Sequence, residues 1–330
     1  MQDSFYSYIN EVVSNNGSLS KQDCLRVVDV NDLDTMELVG AAYRHRKLHF
    51  GKRLSVHMIN NAHNGGCSED CRYCVQSKLS TAKMDNCGPK AEEVVVREAL
   101  AAYEAGAACY GIVFSGRDLL NNRLQKIVGI VRRIKEQVPV KVCVSVGFVN
   151  RIQADILKSA GVDRLHHNLN TAESFYPQIC TTHTYTDRLE TIRTAKSAGL
   201  PVCCGLIVGM GESPEDIVLT AMRLKDLDVS CVPVNFYIPI EGAVMGNKPK
   251  LMTEYCLRVL CLFRLINPHA ELCLAAGREL YLSSVQALFF QIVDGIFMNG
   301  YLNVQGNVGD DVLTVAHDLG FVTMGYGRAI

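Results

Sequence analysis

Three cysteines in the first quarter of the chain, Cys67, Cys71 and Cys74, form a C-x3-C-x2-C array that follows two consecutive glycines. This spacing allows three thiolates to bind three irons of one [4Fe–4S] cluster, so that the fourth iron has no protein ligand. An iron with an open position can bind a small molecule, which makes the array a candidate catalytic site. A structural zinc site is the alternative, but it normally needs a fourth ligand, for which His63 is the nearest histidine.

The cysteine content of the whole chain supports iron–sulfur chemistry. Cysteine accounts for 14 of the 330 residues, yet the chain is too long for a scaffold that depends on disulfides. Its polar start lacks the regions of a signal peptide, and its longest apolar run, 202–210, is shorter than the ~18 residues that suggest a membrane span. We therefore expect a cytoplasmic protein with reduced cysteines.

The charge of the chain excludes two classes of partner. Lysine and arginine total 33 and the acidic residues 34, which leaves a formal net charge of −1. No bulk attraction to nucleic acid or to an anionic membrane follows, so neither partner is expected. A hydrophobic content of 48% is typical of a globular chain with a full core.

Short apolar segments alternate along the chain with longer amphipathic ones, which predicts alternating strands and helices. Eight such units in this length favour a single-domain α/β fold, the (β/α)8 TIM barrel, with its active site at the carboxyl ends of the strands. An open, doubly wound sheet is the alternative. The predicted strands are 55–61, 109–115, 140–147, 164–170, 202–208, 232–238, 271–275 and 296–300, and the predicted helices are 92–105, 124–137, 151–160, 186–198, 214–227 and 253–265.

No linker or low-complexity tract divides the chain. We expect an N-terminal helical segment over 1–50 and the barrel over 51–310. A C-terminal helix and tail over 311–330 would then close the barrel.

Five motifs carry a resemblance to a known family. Their order along the chain, from about residue 50 to 320, is similar to that in the biotin synthase family of radical S-adenosylmethionine (SAM) enzymes. The motifs are CSEDCRYC at 67–74, HNLNT at 167–171, VCCGLIVGMGE at 202–212, VPVN at 232–235 and AAGRE at 275–279.

The resemblance implies how the C-x3-C-x2-C array works. Its [4Fe–4S] cluster would bind SAM through the open iron and cleave it to a 5′-deoxyadenosyl radical. Asn168 and Asn170 match positions that bind the SAM ribose, although the family usually has Asp at the second position. Tyr73 would border the adenine. The residues expected to bring the backbone close to SAM are Gly205, Ile207 and Gly209.

The resemblance also implies a second, sulfur-donating cluster inside the barrel. In the best-known form, three cysteines and an arginine hold a [2Fe–2S] cluster. Here two of those cysteine positions match Cys143 and Cys203, the third matches Gly111, and the arginine position matches Cys273.

These replacements favour a different auxiliary cluster. Residues two apart on a strand share a face, so three inward thiolates on three strands could hold a 4Fe-type cluster with an extra sulfide, which we favour over [2Fe–2S]. Cys231 is the first candidate for a fourth ligand, and Cys109 is the second. The cysteines expected to have no such role are Cys204, which should face the helices, and Cys24, Cys87, Cys180, Cys256 and Cys261, which should be ordinary buried residues.

The reaction implied is radical sulfur insertion, which converts dethiobiotin to biotin without a general acid or base. Two SAM-derived radicals would remove hydrogen from the carbons beside the ureido ring, and sulfur of the auxiliary cluster would capture each carbon. Asn168 and Asn235 are the expected ureido contacts, because an amide offers both donors and an acceptor. His166 stands where the family has another asparagine.

The family further implies partners. These are a flavodoxin or ferredoxin as electron donor, the cluster-assembly machinery and a second copy of the chain in a homodimer. The alternatives are a related radical SAM enzyme, similar to methylornithine synthase or to a hydrogenase-maturation enzyme, and a non-enzymatic iron–sulfur carrier. The related enzymes would not need the inward cysteines at 143, 203 and 273, and a carrier would not need Asn168, Asn235 or the segment 205–212.

Overall fold

The computed structural model describes residues 2–15, 17–84, 88–298, 300 and 311–325, and Cys87 lies outside them. The strands, in chain order, are β1 (Arg53–Asn64), β2 (Gly88–Pro89), β3 (Cys109–Phe114), β4 (Lys141–Ser145), β5 (Arg164–His166), β6 (Val202–Cys203), β7 (Leu206–Val208), β8 (Cys231–Phe236), β9 (Glu271–Leu274), β10 (Gly295–Met298) and β11 (Val322–Met324). The helices are α1 (Gln2–Ser14), α2 (Lys21–Val28), α3 (Thr35–Phe50), α4 (Glu92–Glu104), α5 (Asn121–Gln137), α6 (Arg151–Ser159), α7 (Tyr176–Ile179), α8 (Tyr185–Ser197), α9 (Pro214–Asp226), α10 (Thr253–Ile266), α11 (Arg278–Tyr281), α12 (Gln286–Phe289) and α13 (Asp311–Asp318).

The parallel strands form a closed barrel. Its eight members are β1, β3, β4, β5, the interrupted strand β6–β7, β8, β9 and β10. The barrel closes where β10 pairs with β1, with Ser55 opposite Gly295. The predicted (β/α)8 barrel is therefore confirmed, and the open, doubly wound alternative is wrong. The short strand β2 pairs antiparallel to the end of β1, and β11 pairs parallel to its beginning.

Each barrel strand divides its residues between two environments. On β4, Val142 and Val144 are buried in the main hydrophobic core, whereas Cys143 belongs to a separate interior cluster. Since successive side chains of a strand point to opposite faces, the valines pack toward the helices and the cysteine points into the barrel. This alternation gives the interior a chemistry different from that of the surrounding core.

Two predicted strands differ most from the structure. The predicted strand 164–170 ends at His166, and Asn170 adopts a left-handed conformation with φ of 72°. The predicted strand 202–208 is interrupted between β6 and β7, where the Asn168 Oδ1 accepts a hydrogen bond from the backbone N–H of Gly205 at 2.8 Å. The side-chain amide thus satisfies a backbone donor at the interruption.

A buried arginine attaches the N-terminal helices to the barrel. Arg258 on α10 is 1% exposed. It donates hydrogen bonds to the backbone carbonyls of Val27, Asp29 and Leu33, which surround the turn between α2 and α3. None of the helices in the described part of the chain has both the length and the apolar character needed to cross a membrane.

Asp294, which directly precedes β10, connects four elements near the closure of the barrel. Its carboxylate accepts hydrogen bonds from Arg264 on α10 and from the backbone N–H of Leu272, at 3.0 Å for the latter. Arg46 on α3 lies 3.6 Å away, and the Asp294 carbonyl accepts from Ser55 at 2.7 Å. Burial raises the pKa of Asp294 to about 6, so the carboxylate is ionised at neutral pH.

We expect Asp294→Ala to lower the free energy of unfolding by about 3–5 kcal/mol, because two buried guanidinium groups lose their counter-charge. Urea unfolding under anaerobic conditions measures the effect. The matched control is Asp155→Ala, which breaks the exposed i,i+4 pair with Arg151 and should cost less than about 0.5 kcal/mol. Equal losses in the two variants would contradict a role for Asp294 in closing the barrel.

Candidate active site

A cavity of about 390 Å3 extends from the C-x3-C-x2-C array into the barrel. The array follows β1, so it lies at the carboxyl ends of the strands, where active sites of such barrels are found. All three array cysteines contribute to the cavity wall. The other predicted site residues that line it are Tyr73, Cys109, Cys143, His166, Asn168, Asn170, Cys203, Ile207 and Asn235.

Asp70, a spacer residue of the array, fixes the loop that carries the cysteines. Its carboxylate accepts hydrogen bonds from the backbone N–H groups of Thr181 and Thr182, at 2.9 and 3.2 Å, and from the Thr181 hydroxyl. Burial raises the pKa of Asp70, but these donors outweigh it and hold the pKa well below its ordinary value. The loop is therefore attached to the segment that follows α7.

Glu69, the preceding spacer residue, is held by a hydrogen-bonded chain. His183 Nδ1 contacts the Glu69 carboxylate, and Arg188 Nη2 lies 3.0 Å from His183 Nε2. A carboxylate only accepts and a guanidinium only donates, so Nδ1 carries the proton and Nε2 accepts. Both nitrogens of His183 are thus occupied. For this reason the buried group of Cys71, Cys180 and His183 is a support for the array rather than a separate metal site.

Cys180 is buried in the main core, as expected, but it also lies beside the array. Its Sγ lies 3.8 Å from the Cys71 Sγ and 3.2 Å from an Asp70 oxygen. The two cysteines are 109 residues apart, and no sequence spacing connects them. The expectation for Cys24, Cys256 and Cys261 agrees with their burial in the hydrophobic core.

The predicted asparagines are held by backbone and tyrosine partners at the cavity wall. Asn170 Nδ2 donates to the Tyr73 hydroxyl at 2.7 Å. Asn235 donates to the carbonyl of Leu206 at 3.0 Å and accepts from the N–H of Ala276 at 3.2 Å. Each amide keeps a further donor and acceptor position, so these side chains are oriented and still able to bind a ligand.

The predicted glycines have roles that sequence reasoning did not identify. A Cβ at Gly205 would lie 1.9 Å from the Pro233 carbonyl oxygen, so only glycine fits beside β8. Gly209 has φ of 97°, and its N–H donates to the Glu212 carboxylate at 2.6 Å. These local constraints explain why glycine occupies both positions, and no contact with a bound ligand is needed for the explanation.

Five cysteines from five strands meet inside the barrel, in a cluster that we call the thiol chamber. It contains the predicted Cys143, Cys203 and Cys273 together with both candidates for a fourth ligand, Cys109 and Cys231. The Sγ atoms of Cys231 and Cys273 are 3.6 Å apart. Cys204, in contrast, packs in the main core, as expected.

His166 borders the thiol chamber. Its Nδ1 lies 3.4 Å from the Cys203 Sγ. Burial lowers the pKa of His166 to about 4, which keeps the imidazole neutral near neutral pH. A neutral imidazole has one donor and one acceptor nitrogen and can replace an amide as a hydrogen-bonding group.

Three charged or ionisable residues form the floor of the thiol chamber. The Glu271 carboxylate lies 3.0 Å from His57 Nε2 and accepts from Arg164 Nη1 at 2.5 Å. Burial raises the pKa of Glu271, but His57 and Arg164 outweigh it and hold the pKa well below its ordinary value. Sequence reasoning missed all three residues. Two of them could have been predicted. Arg164 lies two positions before His166, and Glu271 two positions before Cys273, so each shares a strand face with a predicted site residue.

The chamber has the composition and the space that an iron–sulfur cluster requires. Thiolates are the preferred ligands of such clusters, and the chamber offers five thiols. Gly111 and Gly295 leave the adjoining wall without side chains, and a Cβ at Gly295 would lie 2.6 Å from the Cys273 Sγ. The residues present therefore fit a cluster. Cys109, Cys143 and Cys203 line the cavity that leads to the C-x3-C-x2-C array, whereas Cys231 and Cys273 are fully buried and are not among its lining residues.

Comparison with known proteins agrees with this geometry. Residues 61–224 match the model of the radical SAM superfamily, and residues 233–322 match that of the Biotin and Thiamin Synthesis associated domain. The biotin synthase of Magnetococcus marinus is 43% identical over 300 residues, which cover 91% of this chain and 94% of that protein. The biotin synthase of Acaryochloris marina is 44% identical over 294 residues, which cover 89% and 85%.

Solved structures show the same fold at lower identity. Methylornithine synthase superposes with a TM-score of 0.81 at 17% identity and covers 97% of this chain and 98% of its own. The FeFe-hydrogenase maturase from Carboxydothermus hydrogenoformans has a TM-score of 0.80 at 18% identity and covers 99% and 81%. At these identities the likeness shows the fold alone.

We expect Gly205→Ala to lower the free energy of unfolding by about 3 kcal/mol, because the added Cβ meets backbone that cannot rotate away. The matched control is Gly129→Ala in α5, where the nearest atom to the new Cβ is 3.7 Å away, and a gain of about 0.5–1 kcal/mol is expected. Urea unfolding without SAM checks both. If Gly205→Ala impaired only SAM binding, the steric explanation would fail.

Proposed function

The chain belongs to the biotin synthase family of radical SAM enzymes, and we propose how its two sets of cysteines divide the insertion of sulfur into dethiobiotin. The C-x3-C-x2-C array would hold the [4Fe–4S] cluster that binds SAM. The thiol chamber would hold the auxiliary cluster that donates sulfur. When bound, the first cluster with SAM supplies a radical that removes hydrogen from unactivated carbon, and the second supplies the sulfur of the thiophane ring.

The observation that carries this proposal is the convergence of five thiols from five strands inside the barrel. Buried cysteines usually behave as small hydrophobic residues scattered through a core. Here they line one interior cluster, next to a cavity that also contains the array. A related radical SAM enzyme without sulfur transfer would not need this arrangement. An iron–sulfur carrier would use cysteines but would not need Asn168 and Asn235 at the cavity wall, so neither alternative is favoured.

The SAM contacts follow from the cavity wall. Asn170 and Tyr73 hold each other by a 2.7 Å hydrogen bond, which orients them as a polar edge for the ribose and the adenine. Ile207 supplies an apolar wall, and the neighbouring glycines, Gly205 and Gly209, set the path of its backbone. Asn, like the aspartate usual at this position, tolerates the left-handed conformation of residue 170 better than most residues.

The ureido group of dethiobiotin would lie between the two sets of cysteines. Asn168, Asn235 and His166 line this part of the cavity. The hydrogen bond from Gly205 to Asn168 Oδ1 at 2.8 Å fixes which end of that amide faces the backbone. These residues bind and orient the substrate, and none of them needs to transfer a proton.

The auxiliary cluster would be held by Cys143, Cys203 and Cys273. We favour a 4Fe type with an extra sulfide over [2Fe–2S], because three thiolates leave one iron open for the sulfur that is transferred. Cys231 is the first candidate for a further ligand, since its Sγ lies 3.6 Å from that of Cys273. Cys109 is the second candidate.

The proposed partners follow from this chemistry. SAM cleavage needs one electron from outside the chain, for which a flavodoxin or ferredoxin is suited. The cluster-assembly machinery would load both cysteine sets, and the enzyme would act as a homodimer in the cytoplasm. A reducing compartment suits the cysteines of the described residues, none of which forms a disulfide.

Cys273→Ala tests the assignment of the thiol chamber. Reconstituted wild-type protein should contain about eight irons in two cubane-type Mössbauer signals, and the variant about four. The variant should still cleave SAM but form no biotin. Cys256→Ala is the matched control, because this buried cysteine lies in α10 within the main core. Unchanged iron content in Cys273→Ala would contradict the auxiliary site, and about four irons in the wild type would favour a different radical reaction.

Asn170→Gly tests the SAM site without straining the backbone, because glycine accepts a φ of 72°. Loss of the amide should raise the Kd for SAM about five- to tenfold, which corresponds to one hydrogen bond of ~1–1.4 kcal/mol. Asn170→Asp should remain within about twofold of the wild type. Anaerobic calorimetry measures the affinities, and wild-type binding by Asn170→Gly would remove Asn170 from the site.

A further inference from the structure

Three side chains on three strands form the floor of the thiol chamber. His57 lies on β1, Arg164 on β5 and Glu271 on β9. All three are largely removed from solvent, and the side chains of the Arg164–Glu271 pair are 16% and 12% exposed. Buried charges are costly unless they are paired and hydrogen-bonded. Here one carboxylate serves both neighbours, so the three residues act as one group.

The geometry determines where the proton of His57 lies. The His57 Nε2 is 3.0 Å from Glu271 Oε1 and 3.5 Å from the Cys273 Sγ. The other carboxylate oxygen, Oε2, accepts from Arg164. An ionised carboxylate only accepts, so Nε2 carries a hydrogen. His57 is therefore a hydrogen-bond donor beside Cys273 and does not share a metal ion with it, because the nitrogen that faces the thiol carries a hydrogen.

We propose that Arg164 and Glu271 position His57 so that its Nε2–H is shared, in a three-centre hydrogen bond, between Glu271 Oε1 and the Sγ of Cys273, and that the bond to sulfur raises the reduction potential of the auxiliary cluster. The proposal rests on the proposed function, which makes Cys273 a cluster ligand. Hydrogen bonds to ligand sulfurs and nearby charge are among the factors that set the potentials of iron–sulfur clusters. A donor at the sulfur favours the reduced state, which carries more negative charge.

The packing around His57 holds the imidazole in this orientation. The Phe297 ring lies 5.0 Å from the imidazole, centroid to centroid. A Cβ at Gly295 would lie 2.6 Å from the Cys273 Sγ and 3.3 Å from His57 Nε2. The absence of a side chain at Gly295 thus leaves the space in which the imidazole and the thiol approach each other.

Two substitutions on the floor are expected to shift the potential in opposite directions. His57→Phe removes the donor and keeps a ring of similar size, so the midpoint potential of the auxiliary cluster should become more negative. Glu271→Gln removes a buried negative charge and leaves Arg164 in place, so the potential should become more positive. A purely structural role for His57 would lower the iron content of His57→Phe without shifting the potential of the auxiliary cluster that remains.

The experiment is an EPR-monitored redox titration of the anaerobically reconstituted full-length protein. Iron content is measured for each sample, and the potential of the SAM cluster serves as an internal reference. His57→Gln keeps an N–H donor and should remain closer to the wild type than His57→Phe. Phe297→Leu loosens the packing against His57 but keeps every hydrogen-bonding group, so its potential should shift less than that of His57→Phe and in the same direction.

Each outcome decides the proposal. An unshifted potential in a His57→Phe protein with full iron content would overturn it, as would nitrogen hyperfine coupling from His57 as a direct ligand in the wild type. If His57→Phe does not assemble the cluster, the wild type decides, because a reduced auxiliary cluster without magnetic coupling to an exchangeable proton would also overturn the proposal. A wild-type protein without an auxiliary cluster would instead refute the proposed function.

Discussion

The alternation of side chains along closed, parallel strands is the constraint on which this molecule depends. Closure between β10 and β1 converts one face of every strand into an interior wall. On β4 and β9, the residues of this face are Cys143, Cys273 and their neighbours two positions away, whereas the intervening valines and leucines pack in the main core. Asp294 connects the elements that meet at the closure, so the integrity of the interior depends on a buried ion pair outside it.

The two sets of cysteines are positioned by different physical means. The C-x3-C-x2-C array lies on a loop, which has no hydrogen bonds to neighbouring strands to hold it in place. Side-chain interactions hold the loop instead. The Asp70 carboxylate accepts hydrogen bonds from Thr181 and Thr182, and Glu69 is held by the chain that runs from Arg188 through His183. The thiol chamber stands on strands, whose register alone brings the cysteines together.

The floor of the thiol chamber shows how a charged group is accommodated deep in a barrel. An isolated charge there would be strongly unfavourable. The two oxygens of Glu271 are divided between Arg164 and His57, so each buried partner has an opposite charge or an acceptor. The same arrangement places the Nε2–H of His57 beside Cys273 as well. The residues that neutralise the buried charge therefore also act on a thiol of the chamber.

The sequence by itself determined the features that depend on local order. The spacing of Cys67, Cys71 and Cys74 predicted one cluster site, and the alternation of apolar segments predicted all eight barrel strands. The faces of Cys143, Cys203 and Cys273 followed from the period of two. Tertiary structure alone decided the rest. Cys180 meets Cys71 across 109 residues, His57 meets Glu271 across 214, and the Pro233 carbonyl explains Gly205. A local pattern states which face a residue occupies, but the distances between faces depend on closure and register, which no local spacing contains.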